Sequence, residues 1–382
     1  MHRLLPLLLL LGASLSASAQ ADTITVGALE RTYTVRLPSS YDGSTALPLV
    51  IAMHGGFGSG VQLESQSQLS VTAEAEGFIV VYPDGVPSLL GIRTWNAGGC
   101  CAYAMDNNID DVGFINALLD TLIDAYAIDT QRIYATGMSN GGFMSYRLAC
   151  ELSERIAAIA PVSASMTIDV CQPTRSMPVL GIHSYLDGSV PYEGGIGNGV
   201  SDHYNSPQDS VHTAFALHAN CAVLNDTILD DIEMTVIRWH ECDCEQEILL
   251  YMTHDGGHSW PGGQPSTGFA DPPSQVLNAN DLMWAFFQQY TLDCATTDVQ
   301  EVDPRTLRVS PNPTTATIAV TGGDAIRRVQ VLDLRGSVLL DVPMNGSANA
   351  ALDVSALPKG LYALRVMDAN GVRTTRFVLA GN

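Results

Sequence analysis

The chain has 382 residues, 46% of them apolar, which is enough for one α/β domain of roughly two to three hundred residues and a smaller second unit. Its formal net charge of −22 repels phosphate backbones, so nucleic acid is disfavoured as a partner. From Leu307 onward there are 8 basic and 5 acidic residues, against 10 basic and 35 acidic before it. The tail is therefore +3 and the remainder −25, the mark of two folding units.

Met1 to Ala19 combines a basic start (His2, Arg3), an apolar run from Leu4 to Leu11 and the small-residue ending Ala17-Ser18-Ala19. This pattern predicts a cleavable secretory signal over residues 1–19. No later stretch reaches the roughly 20 apolar residues of a spanning helix, so no transmembrane segment is expected. Ile24 and Val26, then Tyr33, Val35 and Leu37, alternate as a strand pair at a sheet edge. Leu47 to Met53 and Gly77 to Tyr82 are continuous apolar runs that fit parallel strands buried on both faces. Asp110-Asp111 reads as a cap and first-turn charge for a helix over Val112 to Tyr126.

Arg132 to Thr136 predicts a strand, Gly137 to Gly141 a turn, and Phe143 to Leu152 a helix. Ala157 to Val162, Met177 to His183 and Glu247 to Thr253 read as further strands, and Asn278 to Tyr290 as a closing helix. Strand and helix alternate throughout residues 20–294, the signature of a mostly parallel sheet covered on both faces. Residues 295–306 are polar and aperiodic, a linker. Residues 307–382 hold short alternating runs such as Arg328 to Leu332 and Leu361 to Val366, which predict a small β-sandwich without a catalytic cluster.

Gly137-Met138-Ser139-Asn140-Gly141 is a G-x-S-x-G sequence between a predicted strand and a predicted helix. Such a turn lifts a serine hydroxyl clear of a sheet, which makes Ser139 the candidate nucleophile. A plain glycine-rich turn with an N-cap serine has the same local sequence, so partners decide. His258 sits in a glycine-flanked loop after a predicted strand, where an imidazole can reach a nucleophile; His254 is its nearest rival. Asp187, in the turn Leu186-Asp187-Gly188, is the candidate carboxylate that orients the imidazole. An Asp-Gly pair is otherwise only a turn former. The chain order Ser139, Asp187, His258 is that of an α/β-hydrolase and raises it above that.

Acyl transfer also requires an oxyanion hole. The amide of Asn140, after the nucleophile, supplies one donor, and Gly56 or Phe57 in His54-Gly55-Gly56-Phe57 the other. Trp95, Tyr192 and Trp260 offer faces for stacking on an aromatic acyl group or a sugar, although aromatics near loops also serve as packing residues.

The eight cysteines all lie before the charge boundary, and an even number in an exported chain reads as disulfides of open connectivity. His240-x-Cys242-x-Cys244 on one strand face raises zinc, which ranks below disulfides in an exported chain. No metal or organic cofactor is expected. The acidic residues from Asp226 to Glu233 read as a solvated face.

From about Arg31 to Tyr290 the chain resembles secreted esterases of the polyhydroxybutyrate depolymerase and feruloyl esterase type. The resemblance is carried by Leu47 to Gly56, Val81-Tyr82-Pro83-Asp84-Gly85, Trp95-Asn96-Ala97-Gly98 before Cys100-Cys101, Asp110 to Phe114, Tyr134 to Gly142, Val190-Pro191-Tyr192 and Gly256 to Gly263. It implies an α/β-hydrolase fold, a Ser139–Asp187–His258 triad and a Cys221–Cys242 disulfide. One departure is His183-Ser184, where the family usually has His-Gly before the aspartate. Ser310-Pro311-Asn312-Pro313, Leu334-Arg335-Gly336 and Pro358-Lys359-Gly360-Leu361-Tyr362 resemble landmarks of the sorting domain of type IX secretion cargo. That resemblance implies the type IX machinery as a partner and a secreted or surface-attached destination.

The expected activity is therefore hydrolysis of a carboxylic ester, on a substrate too large to import. Feruloyl or acetyl esters of plant polysaccharide come first and polyhydroxybutyrate second. A serine peptidase on the same fold lacks a recognition site for peptide, and an inactive surface-binding protein does not need all the catalytic parts.

Overall fold

The computed structural model describes residues 21–168, 170–199, 202–265, 271–294, 307–312, 314–321, 325–332, 338–358, 360–368 and 371–379. The expected signal over 1–19, the linker over 295–306 and Leu334-Arg335-Gly336 lie outside the described residues.

Ten strands form the main sheet: β1 (Asp22–Val26), β2 (Leu29–Arg36), β3 (Leu47–Met53), β4 (Ile79–Pro83), β5 (Ile128–Met138), β6 (Ala158–Val162), β7 (Val179–Ser184), β8 (Val223–Asp230), β9 (Met234–His240) and β10 (Ile248–Thr253). Their order is β1-β2-β4-β3-β5-β6-β7-β10-β9-β8. The six central strands from β4 to β10 run parallel, and antiparallel pairs close both edges. The central strands are largely apolar where helices cover both faces; every residue of β4 and β6 is buried, whereas β5 begins with a polar, partly exposed run from Asp129 to Arg132.

Those helices include α1 (Gly60–Ser67), α2 (Leu69–Glu76), α3 (Asp111–Ala125), α4 (Asn140–Glu151), α5 (Gln208–His218) and α6 (Ala279–Phe287). Asp110 caps α3 by accepting from the Gly113 N–H. Asp111 takes its expected place as the acidic residue of the first turn. It is fully buried, 2.7 Å from the Arg31 guanidinium, and accepts from the Asn96 N–H at 2.8 Å. Burial alone pulls both partners towards their neutral forms, so pairing and hydrogen bonds must hold them charged.

The C-terminal region forms two antiparallel sheets, of three and four strands, between Arg308 and Leu379. Ile318 and Leu352 of the first sheet and Val329, Leu364 and Phe377 of the second belong to one buried cluster, the layered core of a small sandwich.

Candidate active site

β5 ends at Met138, and Ser139 follows with φ 51° and ψ −124°, a left-handed conformation that costs a non-glycine residue energy. The surroundings enforce it. The Ser139 N–H donates to the Val162 carbonyl at 2.9 Å, and its own carbonyl accepts from Phe143 in the first turn of α4. Neighbouring glycines permit the approach. A Cβ on Gly137 would lie 2.5 Å from the Met53 carbonyl oxygen, one on Gly142 2.5 Å from the Ala164 Cβ, and one on Gly141 would run into Met53.

His258 lies in the loop after β10. Its Nε2 is 2.9 Å from Ser139 Oγ, and its Nδ1 is 2.9 Å and 3.1 Å from the two carboxylate oxygens of Asp187. The Asp187 side chain is fully buried, and its Oδ1 also accepts from the Ser189 and Val190 N–H groups. Burial pushes its pKa up, but the hydrogen bond and charge of His258, with His183 and the Val190 amide, outweigh that and leave it below the ordinary value. The competing His254 faces away, with Nε2 3.0 Å from Thr235 Oγ1 and its N–H donating to Glu233.

Ser184, the departure from the usual glycine, has a structural role of its own. Its hydroxyl donates to the Asp255 carbonyl at 2.9 Å and accepts from the Leu186 N–H at 3.0 Å, joining the acid turn to the histidine loop. Asp271 was not legible in the sequence. Its carboxylate accepts the His258 N–H at 2.7 Å and a Cβ on Gly257 would clash with it, so it fixes the backbone of the histidine loop. It stands 13 residues beyond His258, and no local pattern marks it.

The His54-Gly55-Gly56-Phe57 loop leaves β3 and packs on the serine turn: a Cβ on Gly55 would lie 3.5 Å from the Ser139 Cβ, and one on Gly56 3.9 Å from the Asn140 Cβ. Of the two expected donors in this loop, Phe57 is engaged elsewhere, because its N–H donates to the Arg93 carbonyl at 3.0 Å. Gly56 has no acceptor among the described hydrogen bonds, and the Asn140 N–H, at the first position of α4, has none within its helix.

Two expected stacking residues are corrected. Trp95 and Trp260 have no exposed surface, and their indole N–H groups donate to the His54 carbonyl at 3.0 Å and to Asn280 at 2.9 Å. They pack and do not face a ligand. Tyr192 is half-buried, donates to Asp209 at 3.0 Å and meets the Tyr185 ring edge-on at 4.9 Å. The exposed apolar side chains next to the site are instead Phe57, Tyr185 and Leu186.

Disulfides join Cys221 to Cys242, Cys150 to Cys171 and Cys100 to Cys101, and Cys244 is also disulfide-bonded. With Cys242 and Cys244 so engaged, and His240 3.2 Å from Asp226, the His-x-Cys-x-Cys run does not gather as a metal site.

A mostly parallel sheet with a serine on a strand-to-helix turn, and a histidine and an aspartate on later loops, defines an α/β-hydrolase. Residues 31–188 match the family model "Esterase PHB depolymerase". Feruloyl esterase D of Neurospora crassa is 30% identical over 72% of this chain and 87% of its own length. Feruloyl esterase B of Piromyces equi is 36% identical over 42% of this chain, and a bifunctional acetylxylan esterase/xylanase of Neocallimastix patriciarum is 26% identical over 64%. The matched stretches span only 30% and 31% of those two relatives. The chain belongs to the family of polyhydroxybutyrate depolymerases and feruloyl esterases, which are carboxylic ester hydrolases. Residues 308–380 match the "Secretion system C-terminal sorting domain". No described helix is long and apolar enough to cross a membrane.

Proposed function

We propose that this protein hydrolyses carboxylic esters through an acyl-enzyme on Ser139. The observation that carries the reading is the His258 imidazole held between Ser139 Oγ and the Asp187 carboxylate, at 2.9 Å from each. With Nδ1–H donating to Asp187, Nε2 is left as the base. It takes the Ser139 proton as Oγ attacks the ester carbonyl, and the buried carboxylate stabilises the resulting imidazolium. The tetrahedral oxyanion is held by the N–H groups of Gly56 and Asn140. His258 then returns the proton to the departing alcohol, and water repeats the cycle to free the acid and restore Ser139.

The favoured substrates are feruloyl or acetyl esters of plant polysaccharide. The family relatives named for feruloyl and acetylxylan ester cleavage support this, as does an exported destination through the type IX machinery, for which the sorting domain speaks. With Trp95 and Trp260 buried, the exposed Phe57, next to Gly56 in sequence, and Tyr185 and Leu186, next to Asp187, replace them as candidates to meet the acyl group.

Those apolar neighbours also favour a second reading, hydroxyalkanoate oligomers. The hairpin whose tip carries the exposed Leu89 and Leu90 is tied to Phe57 through the Arg93 carbonyl, which adds exposed apolar side chains on a segment joined to the Gly56 loop. Turnover on feruloyl, acetyl-xylan and hydroxybutyrate esters decides. Highest kcat/KM on a feruloyl or acetyl ester is expected; preference for hydroxybutyrate oligomers overturns the substrate, and no turnover of any ester overturns the activity.

A further inference from the structure

The two oxyanion donors stand on separate elements. Gly56 belongs to the loop after β3, and Asn140 opens α4 at the end of β5. A hydrogen-bonding cradle acts only if its donors keep their spacing as charge develops, so something must hold the two peptides in register. The segment Arg93 to Asn96 contacts both. On the Gly56 side, the Arg93 carbonyl accepts from Phe57 at 3.0 Å, and the Trp95 indole donates to the His54 carbonyl at 3.0 Å. On the Asn140 side, the Trp95 N–H donates to Asn140 Oδ1 at 2.7 Å, and Asn140 Nδ2 donates to the Trp95 carbonyl at 3.0 Å. The Asn140 side chain thus imitates a peptide group in a strand ladder while its backbone N–H stays unspent.

The segment is itself fixed from behind. The Asn96 N–H donates to buried Asp111, and the Asn96 carbonyl accepts from Arg147 at 2.7 Å. His54 braces the other end: its Nε2 accepts from the Gly85 N–H at 2.9 Å, so Nδ1, 2.7 Å from the Gly55 carbonyl, carries the proton. The links from Trp95 to Asn140 and to His54, from Asn96 to Asp111 and from Gly85 to His54 are buried, where a polar group without its partner is costly, so this core of the array has one low-energy arrangement.

We infer that the Arg93–Asn96 segment is the spacer of the oxyanion hole, with Trp95 and the Asn140 side chain as positioning residues that set the distance between the Gly56 and Asn140 amides. The inference rests on the proposed acyl-enzyme reading. It assigns to Trp95 an effect on catalysis without contact with substrate.

The test is Asn140→Ala in the full chain, which keeps the donor N–H and removes only the tie to Trp95. We expect kcat to fall on the order of ten- to a hundredfold with KM nearly constant, less than the hundred- to thousandfold that outright loss of a donor gives. The inhibition constant of a boronic acid, which forms a tetrahedral adduct on Ser139, should rise by the same factor. Trp95→Phe, which removes the indole link and keeps the backbone links, should show the same pattern more weakly; it decides the matter if Asn140→Ala does not fold. Unchanged kcat in the folded variants, or a loss confined to KM, overturns the inference. Phosphonate labelling of the wild type separates this from the parent reading, because failure to label Ser139 overturns the acyl-enzyme itself.

Discussion

His258 Nδ1 faces both carboxylate oxygens of Asp187 across 71 residues of sequence, and the Asp187 side chain has no exposed surface. A carboxylate in that position selects the tautomer with the proton on Nδ1, leaving Nε2 as the base towards Ser139. Asp187→Asn keeps an oxygen for the Ser189 and Val190 amides but turns an N–H towards Nδ1, which selects the wrong tautomer. We expect kcat to fall by about 10⁴-fold with little change in the circular dichroism spectrum. A loss below tenfold would show that His258 does not depend on this carboxylate.

Burial also ties stability to pH. His54 and His212 are fully buried, and burial drives each down from 6.5 to about 4; His183 is lowered for the same reason. Between about 6.5 and 4 the unfolded chain binds protons on these side chains that the folded chain does not, so stability falls as pH falls through this window. A loss of up to a few kcal/mol per histidine is expected. For His54, protonation of Nε2 would in addition remove the acceptor of the Gly85 N–H. Asp187, whose pKa is also lowered, adds a loss with the same sign below its ordinary value of 3.8. Urea unfolding at pH 7, 5.5 and 4 measures it; a flat or rising free energy towards acid contradicts these assignments.

Burial changes what the tryptophans predict. Trp260→Ala should lower unfolding free energy by about 3–5 kcal/mol, and should not discriminate among esters except through that instability. Phe57→Ala, at an exposed position beside Gly56, should instead cost kcat/KM on feruloyl esters more than on a short aliphatic ester, by about 1 kcal/mol. Equal losses on both esters remove Phe57 from the acyl pocket.

Much of this was legible in the sequence where local pattern and tertiary demand coincide. β3 and β6 are buried on both faces, so their unbroken apolar runs announce them, and the serine turn needs glycines that no other local structure explains. β8 was hidden. It lies at the sheet edge with half of its residues exposed, so Asp226 and Asp230 show in the sequence as the solvated face they form and not as part of a strand. The tryptophans were misread because residue type reports apolar area without saying which side it faces. Trp95 and Trp260 have the composition of a binding cleft, but each indole N–H finds its partner inside the fold. Asp271 and the Trp95–Asn140 tie exist only once distant segments meet.

The measurement that bears most directly on the account is ester turnover by Ser139→Ala, alongside phosphonate labelling of the wild type and the variant. The hydroxyl contacts only His258 among the described hydrogen bonds, so the fold should be kept. We expect labelling to vanish and kcat to fall on the order of a million-fold, leaving only what the oxyanion hole and binding supply. A folded variant that keeps more than a small fraction of its turnover, or still takes up the phosphonate, would contradict an acyl-enzyme on Ser139.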